Sequence, residues 1–285
     1  MSRRGRKGRQ EDLFRVLISI FILVVLASLA SGAGYRWWIN QPAGLDKRLC
    51  PKNGIKGHTI ILIDKTDPLD RINPLLNSQK AALDQLIVEV AHRHSTTYQK
   101  PTSSEMPVAV GELLTIFVLG DDYKTTPEPV FSRCNPGLGN DANIFLANQE
   151  KLESLYRREY DNPLKESQNK FASSASSQWS PIMEMLQLVA INGFKHEAAH
   201  GSRRLIIISD MLHNSPAFSL FKQKPDFASF QNTPYFQQVR TDLAGVSVDI
   251  RYLMFSPALQ TNSLTYFWEG YLRSTGASIN SAKPL

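Results

Sequence analysis

The chain has 285 residues, 42% hydrophobic and 20% charged, an ordinary globular composition that excludes a disordered or fibrous protein. Its net charge of +6 is uneven: residues 1–15 carry +4, whereas residues 36–285 hold 26 basic and 24 acidic side chains. The basic character thus belongs mainly to the tail, and a nucleic-acid surface on the main body is not indicated.

After the basic tail (1–15) comes an uncharged, mostly apolar run of 19 residues, 16–34, followed by Tyr35, Trp37 and Trp38. About 20 apolar residues span a bilayer as a helix, and aromatic side chains suit its interface. Residues 16–38 are therefore expected to be a transmembrane helix with an aromatic belt. The Arg/Lys cluster before it puts the N-terminus in the cytoplasm and the body in the periplasm or outside the cell. A cleaved signal peptide is the alternative, since Ala27 to Gly34 offer small residues for cleavage. The length of the run and the belt behind it favour the uncleaved anchor. Export suits the two cysteines: in an oxidising compartment Cys50 and Cys134 are expected to bridge, with two unrelated buried thiols as the alternative.

Residues 39–57 read as a Gly-, Pro- and Lys-rich linker, and the main domain as 58–285. The continuous apolar run His58 to Asp64 predicts a strand buried on both faces. Leu83, Leu86, Ile87 and Val90 recur at helical spacing over roughly 78–93. Leu113 to Leu119 is a second buried strand, and 128–145 mixes a short strand with turns. Residues 148–171 read as an exposed helix with a thin apolar stripe. Ser180-Pro181 offers an N-cap and a first-turn proline to a helix with Ile182, Met185, Leu186 and Val189 on its buried face. Arg204 to Asp210 is the next strand. Thr233-Pro234 opens a helix that Gly245 is expected to end. Alternation from Val246 to Met254 predicts a half-exposed strand, and 262–274 a last helix ended by Gly276. Strands alternating with helices predict an α/β fold with a doubly wound, mostly parallel sheet.

In such sheets ligands bind beyond the carboxyl ends of the strands. Two strands end there in carboxylates, within Asp64-Lys65-Thr66-Asp67-Pro68 and Ser209-Asp210-Met211, and Ser180 caps a helix at the same edge. Asp64, Thr66, Ser180 and Asp210 are expected to converge as hard oxygen ligands for Mg, Ca or Mn. The alternative is that Asp64 and Asp210 only cap strand ends and helix N-termini.

This arrangement resembles the von Willebrand factor A family, whose first strand ends in a D-x-S-x-S loop. Asp64 stands at its Asp, Thr66 at its first Ser, Ser180 at the loop Thr and Asp210 at the later Asp, while Pro68 replaces the last Ser. The order of elements over 58–285 and the closing segment FWEGYLRSTGASI carry the resemblance further. It implies a degenerate metal-ion-dependent adhesion site that binds a protein partner, with Lys65 and Asp67 on the binding edge and no enzymatic turnover.

A competing motif is His196-Glu197-Ala198-Ala199-His200. On a helix, two His at i and i+4 can bind zinc and the Glu can serve as general base of a peptidase. Gly193 shortly before it, the strand directly after it, and a third ligand available only from Asp210 or His213 favour a polar helix end instead. The expected function is a membrane-anchored extracytoplasmic protein-binding module within an envelope complex such as a secretion, conjugation or defence assembly. The alternatives are a zinc metallopeptidase using His196, Glu197 and His200, and a structural subunit without a ligand.

Overall fold

The computed structural model describes residues 44–64, 74–91, 107–119, 128–137, 149–173, 179–195 and 201–285, together with Ile20, Ile22, Leu23, Ala27 and Ser28. The chain forms two units, Met1–Gly44 and Leu45–Leu285. In the first, Ile20, Ile22, Leu23, Ala27 and Ser28 are helical and exposed. The rest of the expected span 16–38 lies outside the described residues, among which no helix is long and apolar enough to cross a membrane.

Among the described residues the second unit has six strands: β1 (His58–Asp64), β2 (Leu113–Leu119), β3 (Phe131–Cys134), β4 (Arg203–Ser209), β5 (Val246–Tyr252) and β6 (Ser278–Pro284). Their order is β3-β2-β1-β4-β5-β6. All pairs are parallel except β2–β3. This is the strand order of a doubly wound α/β fold. β1, β2 and β4 are unbroken apolar runs because both of their faces are covered. On one face Ile60, Leu62, Leu205, Ile207, Val248 and Ile250 pack under a broad aromatic layer. Its aromatic rings come from α5 (Phe227–Phe230), α6 (Pro234–Val239) and α7 (Asn262–Ser274), with the aliphatic and methionine side chains of α4 (Ile182–Leu188) packed in the same layer. On the other face Ile61, Ile63, Leu114, Ile116, Ile206 and Ile208 meet α1 (Pro74–Ala91), α2 (Gln149–Tyr156) and α3 (Asn162–Ser173).

Several boundaries differ from the sequence reading. Helix α1 begins at Pro74, because the first turn needs no proline N–H. The 148–171 segment is more than an exposed helix: α2 and α3 are joined by a π-helical stretch, Arg157–Asp161, that turns Tyr160 inward beside Tyr156 and Leu164. Helix α6 ends at Val239, and Gly245, with φ +74°, serves the turn into β5 instead. The expected half-exposed strand is buried almost throughout, because Asp249 pairs with Arg204 and Arg251 hydrogen-bonds to Ser281. Residues 45–57, read as linker, belong to the compact unit and bury Leu49, Cys50 and Ile55.

Candidate functional site

Between β1 and β4 the strand order reverses, and the crevice beyond their carboxyl ends is where doubly wound sheets place ligands. Parallel pairing sets Ile63 beside Ile208, so both strands end side by side. There the Asp64 Oδ2 accepts two hydroxyl hydrogen bonds, from Ser180 and Ser209, each 2.7 Å. All three side chains are buried.

Ser180 does not cap α4. Pro181 holds the N-cap position without a side-chain bond, while the Ser180 hydroxyl reaches across to Asp64. A two-way main-chain bridge holds Ser180 in place: Ser180 and Asn214 each donate an N–H to the other's carbonyl at 2.8 Å. Ser209 is the partner that sequence reading missed. The β1–β4 register, which residue order alone does not give, brings it beside Asp64.

Asp210 lies one residue beyond β4, and its Oδ1 accepts the Leu212 N–H at 2.8 Å, closing its own turn. Met211 sits at φ +61°, a conformation rare for a side-chain-bearing residue. Three bonds fasten that turn. The Met211 N–H donates to Ser209 Oγ at 2.8 Å, Trp268 donates to the Met211 carbonyl at 2.7 Å, and Gln260 to that of Asp210 at 3.1 Å. Thr66, Lys65, Asp67 and Pro68 lie outside the described residues, as do His196, Glu197 and His200. Among the described residues no group of three or more His, Cys, Asp or Glu side chains stands ready for a metal. The oxygen donors at the strand ends, Asp64, Ser180 and Asp210, are of the type that hard cations take.

A second polar cluster lies behind the same edge. His213 is fully buried, and its Nδ1 accepts the Met183 N–H at 3.4 Å, which assigns the proton to Nε2. Nε2 then donates to Tyr235 at 3.0 Å, and Tyr235 donates to Glu184 Oε1 at 2.5 Å. Ser215 joins the Tyr235 hydroxyl at 2.9 Å. Burial pulls the His213 pKa down to about 3, so the ring is neutral near pH 7. Its 4.0 Å approach to Glu184 is therefore not an ion pair at that pH. Burial also raises the Glu184 pKa, against the lowering effect of the Tyr235 hydrogen bond. The expected bridge is present: Cys50 and Cys134 form a disulfide.

No protein family matches the chain, and no curated protein does. Among solved structures it is similar to the conserved hypothetical protein BatB from Bacteroides thetaiotaomicron, at 10% identity over 81% of this chain and 92% of that one, with a TM-score of 0.35. An aerotolerance-related membrane protein from Bacteroides fragilis NCTC 9343, carrying multiple mutations to serine, matches at 10% identity over 81% and 91%, with a TM-score of 0.36. The human COPII-coat protein Sec24c matches at 11% identity over 82% of this chain and 31% of that one, with a TM-score of 0.33. The strand order and the site described above rest on the chain's own geometry.

Proposed function

We propose that the chain is a membrane-anchored protein-binding module of the von Willebrand factor A type, a subunit of an envelope assembly whose activity is binding and not turnover. The observation that carries this reading is the meeting of Asp64, Ser180 and Ser209 at the reversal point of the sheet. A buried carboxylate held by two hydroxyls is an oxygen-rich seat that a partner's charge or a hard cation can join by redirecting the hydroxyls. A divalent ion there would be held by Asp64, Ser180 and Asp210, with Thr66 from the following loop. Such an ion supplies a positive charge to which a partner carboxylate adds the final ligand. The basic tail and the apolar run 16–34 support a cytoplasmic N-terminus, an inner-membrane anchor and an extracytoplasmic body.

The test uses the full chain purified in detergent. Elemental analysis and calorimetric titration with Mg, Ca and Mn are run beside cross-linking of the chain to its envelope neighbours in intact cells. The expected result is a hard divalent ion and a cross-linked partner in the wild type, both lost in Asp64→Asn. Stoichiometric zinc retained in Asp64→Asn overturns the reading in favour of a hydrolase using His196, Glu197 and His200. A partner retained unchanged in both Asp64→Asn and Ser180→Ala moves binding away from this edge.

A further inference from the structure

The segment that leads into the sheet is fastened to it covalently, short of β1. Residues 45–57 run from the start of the second unit to β1, and Cys50 within them is bridged to Cys134, the last residue of β3. The two cysteines are buried together with Ile55 and Leu113. The bridge spans 84 positions of sequence, so residues 51–133 form a closed loop that holds β1, α1, β2 and Asp64. A load that enters at Leu45 and is balanced beyond Cys134 has a covalent path through the two sulfurs. The closed loop lies off that path.

The chain is held differently on the two sides of the bridge. Past Cys50, main-chain bonds follow one another along the lead-in. The Lys56 N–H donates to the Gly111 carbonyl at 3.0 Å, the Gly57 carbonyl accepts the Leu113 N–H at 2.8 Å, and the His58 N–H donates to the Ser202 carbonyl at 2.9 Å. A pull arriving along the chain loads such bonds in turn, and each is a neutral hydrogen bond of modest net strength. Around Cys134 the bonds converge. The Cys134 N–H donates to the Arg48 carbonyl at 2.9 Å. Asn135, only 2% exposed, donates its N–H to the Glu112 carbonyl at 3.0 Å and its side-chain amide to that of Val108 at 2.9 Å. Its own carbonyl accepts the Gly111 N–H at 2.8 Å, and its Oδ1 the Gly137 N–H at 2.9 Å. Bonds gathered on one residue are loaded together.

We infer that the Cys50–Cys134 bridge is a tension bypass. A pull from the N-terminal side is passed at Cys50 to the clamp formed by Cys134 and Asn135, so β1 and the Asp64 it carries stay unloaded. A cross-link that only restricts the unfolded chain stabilises the body whichever way it is pulled. The bypass acts only on a load that enters ahead of Cys50. The source of such a load rests on the membrane anchor proposed above. The load path does not, and an applied pull tests it without the anchor.

Single-molecule pulling of the full-length protein in detergent is the test, with handles at Gly44 and the C-terminus or at Lys165 and the C-terminus. Lys165 lies on the exposed α3 surface beyond Cys134, so the second geometry leaves the bridge out of the load path. In Cys50→Ser/Cys134→Ser, the pull from Gly44 is expected to release residues 45–57 in an early step before the body yields. That step lengthens the chain by about 45 Å, at roughly 3.3–3.6 Å per residue. The wild type is expected to show no such step, and the pull from Lys165 to unfold both proteins at the same load. Asn135→Ala, with the bridge intact, is expected to unfold about tenfold faster at fixed load from Gly44 and to change little from Lys165. This arm stands even where the double variant folds poorly. An early release in the wild type, its absence in the double variant, or an equal effect of Asn135→Ala in the two geometries each overturns the inference.

Discussion

Asp249 in the middle of β5 and Asp64 at the end of β1 are both buried, yet the fold meets them differently. Arg204 donates to Asp249 Oδ2 from 2.8 Å, while Asn280 at 2.8 Å and Ser281 at 2.6 Å donate to Oδ1. Arg251 in turn bonds the Ser281 hydroxyl at 2.7 Å. Asp64 Oδ2 is met by the hydroxyls of Ser180 and Ser209. A guanidinium locked between strands is a fixed counter-charge, and a hydroxyl is a dipole that rotates about one bond. The first arrangement holds β4, β5 and β6 in register, and the second leaves a carboxylate whose partners can be turned. Position agrees with this division. One aspartate sits inside the sheet, and the other opens onto the crevice where such sheets bind ligands.

The sharpest way to break the comparison is to remove the guanidinium. Arg204→Ala is expected to cost about 3–5 kcal/mol in denaturant unfolding, because the buried Asp249 carboxyl loses its cation. Ser209→Ala tests the other side. It is expected to cost about 1.5–3 kcal/mol, the range for a hydrogen bond to a charged group, with the Asp249 network left intact. An Asp64 held as firmly as Asp249 would instead show a loss as large as that of Arg204→Ala.

His213 illustrates a third way to bury a titratable group, by discharging it. Its folded pKa of about 3 lies below the ordinary value of 6.5, so the unfolded chain binds the extra proton between those pH values. This contribution is full above pH 6.5 and is lost as pH falls toward 3, at up to about 1.4 kcal/mol per pH unit. The raised Glu184 carboxyl acts in the opposite sense, since its contribution is present in acid and lost as pH rises through its folded value. Unfolding midpoints measured from pH 7 to pH 4 are expected to fall more steeply in the wild type than in His213→Gln. The smallest effect marks the exposed limit: Lys165, 2.8 Å from Asp161 on the α3 surface, is expected to change stability by less than about 0.5 kcal/mol when replaced by Ala.

The strands that were easiest to read are those whose pattern has one cause. β1 and β2 are apolar on both faces and carry no competing signal, so their bounds match the sequence reading. α7 is likewise legible, from Asn262 to its end before Gly276, because Leu264, Phe267, Trp268, Tyr271 and Leu272 recur at helical spacing and are buried together. Ser180 was misread because a serine before a proline predicts a cap, and only the approach of β1 reveals a better acceptor. β5 was misread because Asp249 and Arg251 look like solvent-facing residues until β4 and β6 supply their partners. The meeting of Asp64 with Ser180 followed from element order, whereas Ser209 required the β1–β4 register. Gly193 was taken only as a sign against a sustained helix. It lies in the π-helical stretch Val189–Lys195, where a Cβ would collide with the Ile60 side chain.

The two rims of the sheet also bear on solubility. Head-to-tail stacking of identical chains, β3 of one on β6 of the next, would generate an open filament because nothing closes the series. β3 is only four residues long and is flanked by Lys47, Arg48 and Arg133, while β6 ends in Lys283 and Pro284. Short edges, lysine and proline are the devices by which sheets avoid such growth, and here both rims carry the same sign of charge. Basic residues at both rims oppose such stacking of identical chains.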